Sequence, residues 1–148
     1  MIFSKSAEYG IQAMIYLASK NDPGPVMIGE IAEGYNIPKQ FLAKITQILS
    51  RHYLLETVRG RKGGIKLARP ASEIYLPEII HAIDGPPPAE DPCIFGLDKC
   101  ADEQPCPLHH RWKPIRDEIN DMLSRESLKK LAKRVADKHN IMRELGLI

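Results

Sequence analysis

Asn36-Ile37-Pro38-Lys39-Gln40-Phe41-Leu42-Ala43-Lys44-Ile45-Thr46-Gln47-Ile48-Leu49-Ser50-Arg51 is followed, two residues later, by Tyr53-Leu54-Leu55-Glu56-Thr57-Val58-Arg59-Gly60-Arg61-Lys62-Gly63-Gly64-Ile65-Lys66-Leu67-Ala68. In the first segment Phe41, Leu42, Ile45, Ile48 and Leu49 recur at three- and four-residue steps, the signature of a helix with one inner face. Lys39, Gln40, Ala43, Lys44 and Gln47 fall largely on the outer face. Asn36 is a suitable cap, and Pro38 is tolerated in a first turn. Upstream, Met27 to Glu33 reads as a short helix with Ile28, Ile31 and Ala32 on one face, and Gly34-Tyr35-Asn36 as a turn. Two short helices joined by a tight turn make a helix-turn-helix. In the second segment the apolar residues alternate on both sides of Arg59-Gly60-Arg61-Lys62-Gly63-Gly64, as a hairpin requires. A helix-turn-helix followed by a basic hairpin is a winged helix. The expected fold is mainly α with a small β-hairpin wing.

This geometry assigns DNA roles to residue types. The first residues of the second helix reach base edges in the major groove. Gln40 can read adenine, and Lys39 can read guanine or hold a phosphate. Lys44, Arg51, Arg61 and Lys66 are expected to neutralise phosphates. The glycine-rich tip with Arg59, Arg61 and Lys62 can approach a backbone or minor groove closely. Between Pro38 and Pro70 there are eight basic residues against the single acid Glu56, although the whole chain carries only +2. Such a block is the electrostatic footprint of nucleic-acid contact.

Outside this stretch, Ser4 can cap a first helix to about Ser19, with Ala7, Ile11, Met14, Ile15, Leu17 and Ala18 facing inward. Asn21 to Pro25 breaks it. Leu76 to Ile83 forms a further helical segment with Leu76, Ile79, Ile80 and Ile83 apolar, ended by Asp84-Gly85-Pro86. Residues 85 to 111 have no period. From Trp112 to about Ser124 the helical pattern returns, with Ile115, Ile119, Met122 and Leu123 apolar, and suggests a dimerisation helix. Ser127 can cap a last helix whose inner face is Leu128, Leu131, Ala132 and Val135. The expected organisation is a winged-helix domain over 1–84, a loop over 85–111, and dimerisation and C-terminal helices over 112–148.

All three cysteines of the 148-residue chain lie in that loop, spaced Cys93-x6-Cys100-x5-Cys106-x2-His109. A long aperiodic loop in a compact domain needs a functional reason. Thiolates suit iron–sulfur clusters, zinc or copper(I). Structural zinc sites use close cysteine pairs, which are missing here. Wide gaps suit a bulkier cluster, whose usual types take four protein ligands. His109 is the nearest candidate for the fourth. Glu8 is the second, provided the first helix of a partner subunit reaches over the loop, and His110 is the third. Zinc binding and metal-free thiol redox sensing are the alternatives.

With 43% hydrophobic and 27% charged residues the composition is that of an ordinary soluble protein. No run of 18 apolar residues supports a membrane span, and Lys5 and Glu8 break any signal-peptide pattern. A cytoplasmic protein that does not engage membranes is expected. In that compartment cysteines serve as ligands or sensors more often than as disulfides. No phosphate loop, nucleophile elbow or paired carboxylates point to an enzyme. A small electron carrier with a basic docking face is a rival that the hairpin after a helix-turn-helix argues against.

The chain resembles the IscR/NsrR family of bacterial winged-helix regulators. The likeness is carried by Ser4-Lys5-Ser6-Ala7-Glu8-Tyr9-Gly10, by Phe41-Leu42, Leu54-Leu55, Val58-Arg59-Gly60 and Gly63-Gly64, and by Cys106-x2-His109-x2-Trp112 with two upstream cysteines. The resemblance implies a homodimer on double-stranded DNA with a roughly palindromic operator. It also implies an iron–sulfur cluster, sensing cluster status, redox or nitric oxide. In the IscR branch three cysteines and the histidine matching His109 hold a [2Fe–2S] cluster, which is favoured here. In the NsrR branch the cluster is [4Fe–4S], and an acid at the place of Glu8 in the partner can supply the fourth ligand. The wing arginine of the family matches Arg59. The first cysteine gap is one residue longer than in the IscR branch, and Ala43 stands where that branch often has an acid.

Overall fold

The computed structural model describes residues 2–22, 24–88, 91–97 and 99–148. Pro23, in the expected helix break, and Glu90 and Asp98, in the acidic stretch of the loop, lie outside the described residues. Six α-helices occur among the described residues: α1 Lys5–Ser19, α2 Ile28–Gly34, α3 Lys39–Arg51, α4 Leu76–Asp84, α5 His109–Ser124 and α6 Leu128–Glu144. A two-stranded antiparallel sheet, β1 Leu55–Val58 and β2 Gly64–Leu67, forms the wing in the register Leu55↔Leu67 to Val58↔Gly64. The chain is a winged helix. No helix among the described residues is long and apolar enough to cross a membrane.

The Ser4 side chain accepts from the Ala7 N–H at 3.1 Å and starts α1, as its type predicts. The core lies between α1, α2, α3, the wing, α4 and the start of α6. It contains Met14, Ile31, Leu42, Leu49, Leu54, Ile65, Ile74, Ile79 and Leu128, each with almost no exposed surface. Leu128 places the last helix against the first within one core. Its entry is pinned by main-chain bonds, Leu128 N–H to Ile74 O at 2.8 Å and Leu76 N–H to Glu126 O at 3.1 Å. Ser127 caps α6 by accepting from Lys130 N–H at 3.4 Å.

Two local expectations need correction. Asn36 does not cap α3. It adopts a left-handed conformation at φ 52° in the turn, and Pro38 occupies the cap position with no side-chain bond. Asparagine tolerates that conformation, so it serves the turn instead of the helix. Phe41 is not part of the inner face and is 59% exposed. The buried positions of α3 are Leu42, Ile45, Thr46 and Leu49. At about 100° per residue, Phe41 lies a quarter turn from Leu42 and faces outward.

The structure also adds a strand-like contact that periodicity does not reveal. Val26, just before α2, pairs with Ile65, and both of their main-chain bonds are 2.8 Å. Gly64 makes this possible. It sits at φ 154°, and a Cβ there would lie 2.3 Å from the Val26 carbonyl oxygen.

Leu128→Ala should lower unfolding free energy by about 2–5 kcal/mol, because it opens a cavity in a core shared by the first and last helices. Urea denaturation checks this. A loss below about 1 kcal/mol would mean that α6 is not part of that core.

Candidate functional site

Two surfaces carry the chemistry-bearing residues. On the first, Lys39, Gln40, Lys44 and Arg51 of α3 and Arg59, Arg61 and Lys62 of the wing turn are all exposed. Among the described residues none of the six cations in this set forms an ion pair with a carboxylate. Lys66 differs, since its Nζ lies 3.0 Å from Glu56 across the hairpin. Arg69 is likewise engaged, by Glu78 at 2.5 Å. Exposed Phe41 joins the α3 face next to Gln40, so this face mixes polar donors with one large apolar ring. An apolar contact of this kind fits a thymine methyl group.

The second surface is the thiol loop. All three cysteines are free thiols; Cys93 is buried and the other two are half-buried. The loop closes on itself through the pairing of Pro92 with Lys99 and the Cys100 N–H to Asp91 O bond at 2.7 Å. After Cys93 the chain turns through Gly96, at φ 70°. That turn aims the Phe95 N–H at the Cys93 sulfur and holds its thiol below the ordinary range. Burial opposes the effect, and the Leu97 N–H and the Cys106 side chain reinforce it.

Cys100 pairs with His109. Its sulfur lies 3.1 Å from Nδ1 of the ring, and Nε2 lies 2.7 Å from Asp102 Oδ1. His109 is 1% exposed, so both ring nitrogens are satisfied within the protein. Lys113 Nζ lies 2.7 Å from Asp102 Oδ2. The four residues form a chain from thiol to imidazole to carboxylate to ammonium.

The helical pattern begins three residues earlier than expected, at His109, since its ring is the buried residue of α5. Two faces of α5 then separate. His109, Lys113 and Arg116, at steps of four and three, face the thiol loop. Ile115, Ile119 and Met122, at the same steps, lie on another side. Ile115 and Met122 are 51% and 52% exposed in the single chain. No motif in the sequence singles out Asp102 or Lys113, and the apolar stripe alone puts Arg116 on the wet side of the helix, whereas the structure leaves its side chain only 13% exposed. The spacing His109-x3-Lys113-x2-Arg116 was the available signal.

Glu8 pairs with Lys5 at 2.5 Å on the first turn of α1. His110 is exposed and packs its ring edge-on against His109, with centroids 5.3 Å apart. Among the described residues no three His, Cys, Asp or Glu side chains surround a single metal position. Of the potential ligands, Cys100 stands against His109, and Cys93 and Cys106 lie on the same loop. Three thiols and an imidazole are a soft donor set whose chemistry fits an iron–sulfur cluster.

A family model described as "Rrf2: Iron-dependent Transcriptional regulator" matches residues 3–134. The chain is 33% identical over 141 residues to a protein of Aquifex aeolicus (strain VF5) assigned as an HTH-type transcriptional regulator, covering 94% of this chain and 96% of that one. It is 31% identical over 131 residues to the HTH-type transcriptional regulator IscR of Photorhabdus laumondii, covering 88% and 79%. With the HTH-type transcriptional regulator NsrR of Oceanobacillus iheyensis it shares 34% over 110 residues, covering 74% and 75%. Among solved structures it is similar to CymR (YrzC), the global cysteine regulator of B. subtilis. That match has a TM-score of 0.74 and 27% identity over 89% of this chain and 96% of that one. T. potens IscR matches with a TM-score of 0.69 and 26% identity over 89% and 86%.

The Lys113 ammonium, and after it the His109 ring, hold the Asp102 carboxyl down to about 2. A depressed carboxyl stabilises the folded chain above its unfolded value of about 3.9 and loses that contribution as pH falls through its folded value. The window is therefore about pH 4 to 2. Carbon-detected NMR titration should give Asp102 a midpoint near 2, and Lys113→Gln should move it up toward the ordinary range. A midpoint unmoved in that variant would assign the effect to His109 alone.

Proposed function

The chain belongs to the Rrf2 family of transcriptional regulators, and on that footing we propose that an iron–sulfur cluster held by Cys93, Cys100 and Cys106 controls its affinity for an operator. The observation that carries this reading is the gathering of all three thiols on one aperiodic loop, with Cys100 against the buried His109 imidazole that opens α5. Cys93, Cys100, Cys106 and His109 would supply the four protein ligands that a [2Fe–2S] cluster takes, and this is the favoured set. Glu8 of a second copy is the alternative fourth ligand, and would go with a [4Fe–4S] cluster. When bound, the cluster supplies a centre that can be oxidised, reduced or attacked by nitric oxide.

The chain's own residues carry the response. The loop leaves α4 through Gly85-Pro86-Pro87-Pro88 and enters α5 at His109. Asp84, the last residue of α4, accepts the Ser4 N–H at 2.8 Å and also bonds the Ser4 hydroxyl. A rearranged loop therefore acts at once on the end of α4, the start of α1 and the long helix α5. The exposed apolar face of α5, Ile115, Ile119 and Met122, pairs with a second copy. Two recognition helices then read a roughly palindromic operator at a spacing set by the dimer. Gln40 and Lys39 address base edges, Lys44, Arg51, Arg61 and Lys62 neutralise phosphates, and Arg59 leads the wing. The protein works in the cytoplasm and is not an enzyme.

Three free thiols on one loop favour one other reading, a thiol-redox or zinc regulator without a cluster, on the same DNA domain. The visible spectrum of the anaerobically purified protein, with iron and acid-labile sulfide counted per chain, separates the two. About two of each indicates [2Fe–2S]. A colourless protein without iron after reconstitution leaves the thiol or zinc reading.

Arg59→Ala should weaken operator binding by at least severalfold while leaving the chromophore in place; unchanged affinity sinks the wing assignment. Cys100→Ala should abolish cluster retention, and an intact spectrum removes it from the ligand set. His109→Ala and Glu8→Ala, compared for retention in one assay, decide the fourth ligand.

A further inference from the structure

Arg116 stands on the loop-facing side of α5, and its side chain is only 13% exposed. Its Nη2 lies 3.0 Å from Asp91 Oδ2 and 3.2 Å from Asp117 Oδ1, and Nε lies 3.4 Å from the same Asp117 oxygen. Its Nη1 is buried and has no hydrogen-bond partner among the described residues. The Cys100 side chain lies within interaction range of the guanidinium. The Asp91 carbonyl oxygen accepts the Cys100 N–H. Thus the residue that anchors Arg116 also anchors the backbone of the thiol.

A buried guanidinium with an unused donor is costly unless something accepts from it. The two carboxylates do not cancel its charge at the thiols. They are 50% and 57% exposed and screened by water, while Nη1 points away from solvent. A thiolate-bound cluster is net negative and becomes more so on reduction. Its sulfurs accept hydrogen bonds, and those bonds, with the local charge, set its potential.

Building on the cluster reading above, we infer that Arg116 is the positioning and charge-compensating residue of the site: its buried Nη1 donates to a sulfur of the cluster beside Cys100. It is not a ligand. It holds the Cys100 half of the loop against α5, and its positive charge favours the reduced cluster over the oxidised one. The same fork, through Asp91, ties the loop to α5, the proposed dimerisation helix.

The test uses full-length protein reconstituted anaerobically with iron and sulfide. Midpoint potential is read by dye-mediated titration, and iron retention by the rate of removal by a chelator. Arg116→Gln should lose iron roughly 10- to 100-fold faster, the range found when a partner of a metal ligand is removed. Its potential should move to a more negative value. Arg111→Gln, which removes an exposed cation from the same helix, should behave as the unaltered chain. A potential and a retention rate in Arg116→Gln equal to those of Arg111→Gln overturn the assignment. Should Arg116→Gln fail to fold or load, Arg116→Lys decides it. Lysine keeps the charge but loses the planar fork, so faster iron loss than in Arg111→Gln is expected and an equal rate overturns the assignment. An unaltered chain that takes up no iron overturns the cluster reading itself and Arg116's role with it. That outcome is distinct from a loaded protein indifferent to Arg116.

Discussion

A buried imidazole has to have both nitrogens satisfied, and His109 meets this demand with two different residues of the loop. Nδ1 faces the Cys100 sulfur and Nε2 faces Asp102. The ring sits at the first position of α5, so these two contacts decide where the loop stops and the helix begins. They also decide which side of α5 faces the thiols. Once His109 is turned inward, Lys113 and Arg116 follow at helical steps and lock onto Asp102 and Asp91. The apolar residues Ile115, Ile119 and Met122 are thereby turned away from the thiol loop.

This arrangement gives a proposed sensor a short mechanical path. The loop is tied to α5 at one end and follows α4 at the other, where Asp84 grips Ser4 at the start of α1. Helix α1 in turn lies against α3 and α6 in the core. In the proposed sensor a change at the thiols would reach the elements that set the recognition helix through packed side chains and main-chain bonds. Packed interfaces respond by switching between arrangements rather than by gradual bending, which suits a regulator that must release or grip an operator.

Much of the winged helix was legible because its signals are local. The inner face of α3, the alternation of the hairpin and the basic turn each need only a few neighbouring residues. Ser4 and Ser127 cap helices as their side chains predict. The errors are also physical. Asn36 carries both cap chemistry and tolerance of the left-handed region, and only the turn's geometry chose between them. Phe41 is apolar enough for a core and lies at the edge of the stripe, so periodicity alone could not turn it outward. Val26 pairs with Ile65 across 39 positions of sequence, and no local pattern encodes that.

What the sequence by itself determined is the kind of molecule: a winged helix with a basic reading face, a loop holding every cysteine, and amphipathic helices after it. Those properties follow from spacing and residue type, which are one-dimensional. Tertiary structure alone decided the pairing of Cys100 with His109 and the return of α6 to the core of the first domain. It also decided the burial of Arg116 with an unused donor. Each of these depends on residues brought together by the packing of the whole chain, and on which polar groups that packing leaves without water.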